Sequence, residues 1–221
     1  LLCIRLFDRD PLLRRTAMWL RRLGPLVAKV NPAWRVHLSG EERIDPTEVY
    51  VIVSNHQSLA DIPLVAHLKI DAKWLAKAEL FRFPVFGWMI RLSGHVSVER
   101  ADRRKAAQSL LQCARYLRSG SSVLFFAEGT RSRDGELLPF NDGPFQLALR
   151  EKCAVLPVVV EGTGSALPKA TWLFAGTQDI SLRVLEPMGA EQVAQFDIAT
   201  LREEVRNRIK NELLALRDNH R

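Results

Sequence analysis

The sequence predicts one α/β domain with a mostly parallel or mixed sheet flanked by helices, preceded by an amphipathic helical segment. Three observations carry this. Short runs of β-branched and aromatic residues alternate with stretches of helical periodicity, as in successive βαβ units. The length, 221 residues, suits one domain with a sizeable core. Polar residues gather directly after the strand-like runs, where open α/β sheets bind ligands. The expected division is a helical segment over residues 1–32 and the α/β domain over 33–221, with no internal repeat or low-complexity stretch.

Residues 1–30 carry Arg5, Arg9, Arg14, Arg15, Arg21, Arg22 and Lys29 against only Asp8 and Asp10, five of the seven net positive charges. On a helix the arginines at 14, 15, 21 and 22 share a stripe. Leu13, Ala17, Leu20, Leu23 and Val27 run along another side, and Trp19 falls on the basic side. A basic amphipathic helix with a tryptophan suits a membrane interface. A helix packed on the domain with a solvated arginine face fits this stretch equally well.

Residues 34–38 read as a short strand and 39–42 as a turn. Residues 49–53, Val-Tyr-Val-Ile-Val, read as a buried strand, and 62–68 as a helix. His56 and Asp61 fall in the turn between them. Five residues at 100° each would separate the two on a regular helix, so His56 belongs before the first turn. Asp61 is then expected to cap the helix, with Ile62 and Pro63 opening it, and His56 is free to fold back onto it. Residues 73–80 read as a strand running into a helix. Residues 80–92 are rich in bulky apolar side chains, and Pro84 and Gly87 argue against one regular helix. They are expected to be core with partial exposure.

Residues 94–100 read as a turn and strand. Residues 101–119 form an amphipathic helix capped by Asp102 and ended by Gly120. A buried strand is expected over 122–127, a polar loop over 128–135, a helix over 143–152 and a strand over 154–160. Pro157 inside that last run suggests an edge position or a bulge. Residues 180–185 alternate like a half-exposed strand, and a closing helix runs over about 200–217.

Composition excludes several classes. Cys3, Cys113 and Cys153 are far apart and odd in number, so they make neither a disulfide framework nor a C-x-x-C knuckle, and a reducing compartment is expected. The five histidines lack metal spacing and there is no H-E-x-x-H, so no metal is expected. A net charge of +7 and a pI near 9.7 suit an anionic partner: nucleic acid, an acidic membrane surface or a phosphorylated substrate. No run reaches the roughly 18 apolar residues of a membrane span. The chain begins at Leu1 rather than Met, so upstream residues are expected, and any spanning helix would lie there.

Glu128-Gly129-Thr130-Arg131 follows a strand. Glycine there lets a ligand approach the backbone, and Arg131 and Arg133 suit bidentate contacts to phosphate. Standing alone, the loop reads equally as a surface turn. A second strand end supplies Arg100 and a third supplies His56 and Asp61, and in a parallel sheet such ends converge.

Four blocks occur in order: Asn55-His56 with Asp61; Arg100; Phe125-Phe126-Ala127-Glu128-Gly129-Thr130-Arg131-Ser132; and Val155-Leu156-Pro157-Val158. Together they resemble the sequence blocks of glycerolipid acyltransferases, in particular the bacterial 1-acyl-glycerol-3-phosphate acyltransferase type. They span Asn55 to Gly162, about half the chain. Two positions depart from many relatives, which have proline where Ala127 stands and aspartate where Glu99 stands.

The resemblance implies the glycerolphosphate-acyltransferase-like fold and acyl transfer from a thioester, acyl-CoA or acyl-carrier protein, to the free hydroxyl of a lysophospholipid. It implies His56 as general base and Asp61 as its orienting carboxylate. Histidine chemistry agrees, because a neutral imidazole can accept a proton near neutral pH. There is no G-x-S-x-G elbow, so transfer is expected to be direct, with backbone N–H groups near His56 stabilising the oxyanion. By the same resemblance Lys77, Arg100, Glu128, Gly129, Thr130 and Arg131 bind the phosphorylated acceptor, with Glu128 on a glycerol hydroxyl or orienting the arginines. Asn55 and Pro157 shape the pocket. No cofactor or metal is implied. The expected location is the cytoplasmic face of the bacterial inner membrane, peripheral or anchored upstream of Leu1, against an anionic lipid surface. The alternatives are another lyso-lipid acceptor, such as a lyso-ornithine lipid, and a non-catalytic membrane-binding relative, against which intact His56 and Asp61 argue. Nucleic acid is not expected as a partner, because the basic surplus sits in an amphipathic N-terminal segment rather than among aromatics on one face.

Overall fold

The computed structural model describes residues 1–132, 134–168 and 176–219. Helices α1 (Leu2–Phe7) and α2 (Arg14–Val30) precede strand β1 (Trp34–Ser39). Then follow β2 (Tyr50–Ser54), α3 (Asp61–Val65), β3 (Ala72–Lys77), α4 (Phe86–Leu92), β4 (Val96–Val98), α5 (Arg103–Arg118) and β5 (Ser122–Phe126). The chain closes with α6 (Gly143–Glu151), β6 (Ala154–Glu161), α7 (Thr163–Ala166), β7 (Gln178–Val184), α8 (Ala190–Val193) and α9 (Ile198–Asn219).

The seven strands form one sheet in the order β1-β7-β6-β2-β5-β3-β4. β6, β2, β5, β3 and β4 are parallel. β7 pairs antiparallel with β6, and β1 runs parallel to β7, so the sheet is mixed. Both faces are covered. Val51 and Val53 point with Val123 and Phe125 towards α5, α6 and α9, whereas Tyr50, Ile52 and Leu124 face α2 and α3. Burial on both sides explains why β2 and β5 read as continuous apolar runs.

Pro157 is not at an edge, because β6 lies between β2 and β7. Its carbonyl accepts Leu185 N–H at 3.0 Å, just past the end of β7. The N–H and C=O of one residue point to the same side of a strand, so the missing donor would have faced Leu185, and the β6–β7 ladder is interrupted there. Two steps lead from Pro157 back to Val155 and three from Leu185 on to Met188, which pairs with Val155, so a bulge flanks the proline. β7 is likewise interior, with Ile180, Leu182 and Val184 buried, rather than half-exposed.

The N-terminal segment is two helices. Asp8 accepts the Thr16 N–H at 2.9 Å and its hydroxyl at 2.7 Å, and Asp10 accepts the amides of Leu12 and Arg14. These turn bonds and the left-handed Leu13 break the run. α2 buries Thr16, Ala17, Leu20 and Ala28, while Leu23 and Val27 of the expected apolar stripe stay exposed. The reason is close approach: a Cβ at Gly24 would lie 2.4 Å from the Ala66 Cβ. Small residues therefore face α3, and the larger ones turn outward. Residues 80–92 divide in the same way, with Phe81 and Ile90 buried beside Leu20 and with Phe83, Val85 and Trp88 exposed. Among the described residues no helix is long and apolar enough to cross a membrane.

Candidate active site

The parallel strands β2, β4, β5 and β6 end on one side of the sheet, and the loops leaving them supply the site. Asp61 is the first residue of α3 rather than its cap; Ala60 precedes the helix and makes no side-chain cap bond. The Asp61 carboxylate turns back instead. Its Oδ2 lies 2.6 Å from His56 Nδ1 and accepts the N–H groups of Gln57 at 2.8 Å and Ser58 at 3.0 Å. Its Oδ1 accepts the hydroxyl of Thr163. Asp61 and Thr163 are fully buried. Surrounded by donors, the carboxylate acts only as an acceptor, so His56 Nδ1 is the protonated nitrogen and Nε2 carries the lone pair.

Two further contacts hold the histidine. Its ring stacks on Phe126, with centroids 4.1 Å apart and planes 19° from parallel. Its backbone is tied to the loop after β5: His56 N–H donates to Glu128 Oε1 at 2.7 Å, and Ser132 N–H donates to the His56 carbonyl at 2.9 Å. Leu138 N–H donates to the other Glu128 oxygen at 2.9 Å. Burial pushes the Glu128 carboxyl up to about 7, while the two amide bonds pull the other way. The amides of His56, Gln57 and Ser58 are thus engaged by carboxylates and do not serve an oxyanion as the sequence reading expected.

The other expected residues fall as follows. Asn55 is buried and paired with the backbone of Val160, donating to its carbonyl at 2.8 Å and accepting its N–H at 2.9 Å. It fixes the spacing of β2 and β6 beneath the site. Gly129 has φ +72°, and a Cβ there would stand 2.7 Å from Asn141 Nδ2 and 3.7 Å from the Arg100 guanidinium carbon. Arg100 therefore leans over this glycine. Thr130 is exposed and Arg131 half-buried on the same loop; Arg133 lies outside the described residues. Lys77 is exposed and paired with Glu79 at 3.2 Å, one strand over from Val98. Pro157 sits opposite Val53, within the sheet below the loops.

A cleft of about 210 Å³ runs from Arg100 and Gly129 between Phe126, Leu75, Ala106 and Leu110. A larger polar recess of about 550 Å³ borders Gln57, Ser132 and Glu161. Among the described residues no group of three His, Cys, Asp or Glu side chains could hold a metal ion. Sequence reasoning missed Thr163 and the clasp made by Glu128. A hydroxyl directly after Gly162, at a fourth strand tip, was the available signal for the first. The second had none, because it depends on where Leu138 returns.

The acyltransferase family profile matches residues 35–161. The chain is 39% identical over 142 residues to a 1-acyl-sn-glycerol-3-phosphate acyltransferase of Chlamydomonas reinhardtii, covering 64% of this chain and 43% of that protein. It is 31% identical over 192 residues to the alpha form of that enzyme from Mus musculus, covering 86% and 67%. The chain spans about half the length of several such relatives. The crystal structure of the 1-acyl-sn-glycerophosphate (LPA) acyltransferase PlsC from Thermotoga maritima superposes with a TM-score of 0.82 at 29% identity, over 98% of this chain and 86% of that one. With its mixed sheet, its paired His56 and Asp61, and a profile match across both, the chain belongs to the acyltransferase family.

Proposed function

We propose that the protein transfers an acyl group from a thioester to the free hydroxyl of a lysophospholipid, with 1-acyl-glycerol-3-phosphate as acceptor and phosphatidic acid as product. The observation that carries this reading is the 2.6 Å pair of His56 Nδ1 and the buried Asp61, next to a cleft flanked by Arg100 and Gly129. The curated relatives bearing that enzyme name agree with it.

In this reading His56 Nε2 takes the proton of the acceptor hydroxyl as its oxygen attacks the thioester carbonyl carbon. Asp61 stabilises the imidazolium without taking the proton. The tetrahedral intermediate collapses by breaking the C–S bond, and the departing thiolate receives the proton from His56. Arg100 and the Gly129–Arg131 loop face the acceptor phosphate, Arg131 as a bidentate donor and Gly129 by giving the phosphate access to the backbone. Lys77 adds positive charge at the rim. The acyl donor is acyl-CoA or acyl-carrier protein, with no cofactor. Exposed Leu6 and Phe7 on α1 and Trp88 on α4, among the N-terminal arginines, suit a peripheral seat on an anionic membrane, the source of the lysolipid. We place it at the cytoplasmic face of a bacterial inner membrane.

The test is mass spectrometry of lipids after incubating purified protein with lysophosphatidic acid and an acyl thioester, beside lyso-ornithine lipid and lysophospholipids with larger head groups. Phosphatidic acid as main product supports the reading. Acylation of another acceptor alone replaces it, and no acylation of any acceptor sinks it.

A further inference from the structure

The carboxylate of Glu128 stands in the loop expected to meet the acceptor phosphate, where a negative charge is unfavourable. It is 7% exposed, and its two oxygens face inward, each accepting a backbone amide: His56 at 2.7 Å and Leu138 at 2.9 Å. The far end of this bridge is itself anchored. Arg206 on α9 donates to the carbonyls of Leu137 at 3.0 Å and Leu138 at 3.3 Å. On the near side, Ser132 N–H holds the His56 carbonyl. Both peptide groups flanking the His56 side chain are therefore gripped, one by Glu128 and one by Ser132, and the Leu137–Leu138 stretch that holds Glu128 is gripped by α9.

We propose that Glu128 is a positioning residue that sets the place of His56 through its backbone and does not bind the acceptor, with Arg206 bracing it from behind. A strut from α9 to the base makes the loop bearing Arg131 and the general base one rigid body. An acceptor seated on the loop then finds the base already at the right height. Only a carboxylate of this length offers two acceptors to two opposed N–H donors. An amide would turn an N–H against one of them.

The inference rests on the acyl-transfer reading, so wild-type turnover is established first. Glu128→Gln is then compared with wild type for acceptor KM, kcat and Tm, with Arg206→Gln as a second variant remote from the cleft. The expected result for Glu128→Gln is a kcat lower by roughly 10- to 100-fold, the cost of a base displaced by a fraction of an ångström to an ångström, with KM within about twofold. Arg206→Gln should move kcat in the same direction by less. A raised KM with unchanged kcat would make Glu128 an acceptor ligand and overturn the proposal, as would unchanged kinetics in Glu128→Gln. Nitrogen NMR of labelled histidine, with His56→Ala assigning the signal, gives a readout independent of turnover. A shifted His56 resonance in Glu128→Gln supports the strut even if Tm falls or no acceptor is turned over, and an unmoved resonance counts against it.

Discussion

His56 Nδ1 and Asp61 Oδ2 are 2.6 Å apart across five residues of chain, and the same oxygen accepts the amides of Gln57 and Ser58. The carboxylate thus shapes the turn and orients the imidazole at once. Asp61→Asn removes the charge and turns an amide N–H against a cluster of donors. A fall in kcat of roughly 10²- to 10⁴-fold is expected, as for the aspartate of a serine-hydrolase triad. Steady-state rates checked against circular dichroism separate lost chemistry from lost fold. Thr163→Val leaves Asp61 Oδ1 without its hydroxyl donor. Stability should fall by about 1–3 kcal/mol, or several degrees in Tm, with a smaller loss of rate.

His95 is buried at the end of the turn before β4, and its Nδ1 accepts the Trp74 N–H at 3.1 Å while the ring stacks on Trp74. A protonated ring could not accept that bond. Burial, reinforced by nearby Lys73, lowers its pKa to about 3 from 6.5. Between those values the unfolded chain binds the extra proton, so this contribution is present above about pH 6.5 and is lost as pH falls towards 3. Glu128, raised from 4.5 to about 7 by burial with Asp61 adding and Arg206 opposing, has the opposite sign. Its native state holds the extra proton between 4.5 and 7, so its contribution declines as pH rises through that range. Urea melts from pH 4 to 7.5 should show a weaker pH dependence in His95→Gln and a stronger gain with pH in Glu128→Gln. Shifts in the same direction would refute the assignment.

Gly129→Ala asks a side chain to adopt φ +72° with its Cβ 2.7 Å from Asn141 Nδ2. The Asn141 side chain, which donates to the Ala127 carbonyl at 2.8 Å, must move, and Arg100 stands next to it. Acceptor KM should rise at least severalfold, and Tm should drop by a few degrees, from about 1–2 kcal/mol of left-handed strain. Normal kinetics with a normal melt would remove this loop from acceptor binding.

Deleting residues 1–30 is a poor test of membrane contact, because α2 supplies Ala17, Leu20 and Ala28 to the cores. α1 has no buried residue, and its Leu6 and Phe7 are 73% and 78% exposed. Leu6→Glu with Phe7→Glu should therefore reduce sedimentation with anionic vesicles and leave Tm unchanged. Undiminished binding would move the contact to Phe83, Val85 and Trp88.

Much of the site was legible because short-range pattern and strand ends carry it. The apolar run at 49–53 announces a buried strand, and the polar break after it places His56 in a loop. Asp102 caps α5 as its position suggests, accepting the amides of Arg104 at 2.9 Å and Lys105 at 3.1 Å. Asp61 was placed one residue wrong because an aspartate that caps a helix and one that turns back to pair with a histidine look alike in a sequence. The choice between them is made by Thr163, 102 residues away, and by the competing amides of Gln57 and Ser58. Pro157 suggested an edge or a bulge, and tertiary structure decided for the bulge, because Val155 pairs with Met188 one residue out of register with the Val158–Val184 pair.

By itself, the sequence determined the alternation of strands and helices, the burial of β2 on both faces, the clustering of positive charge near the start, and the residue types at each strand tip. Those follow from periodicity and local backbone preference, which act over a few residues. Tertiary structure alone decided which tips meet, that the Glu128 carboxylate turns inward to the His56 backbone, and that α2 packs through Gly24 and leaves Leu23 and Val27 outside. These depend on contacts between residues tens of positions apart, and no local propensity encodes the free energy of such a meeting.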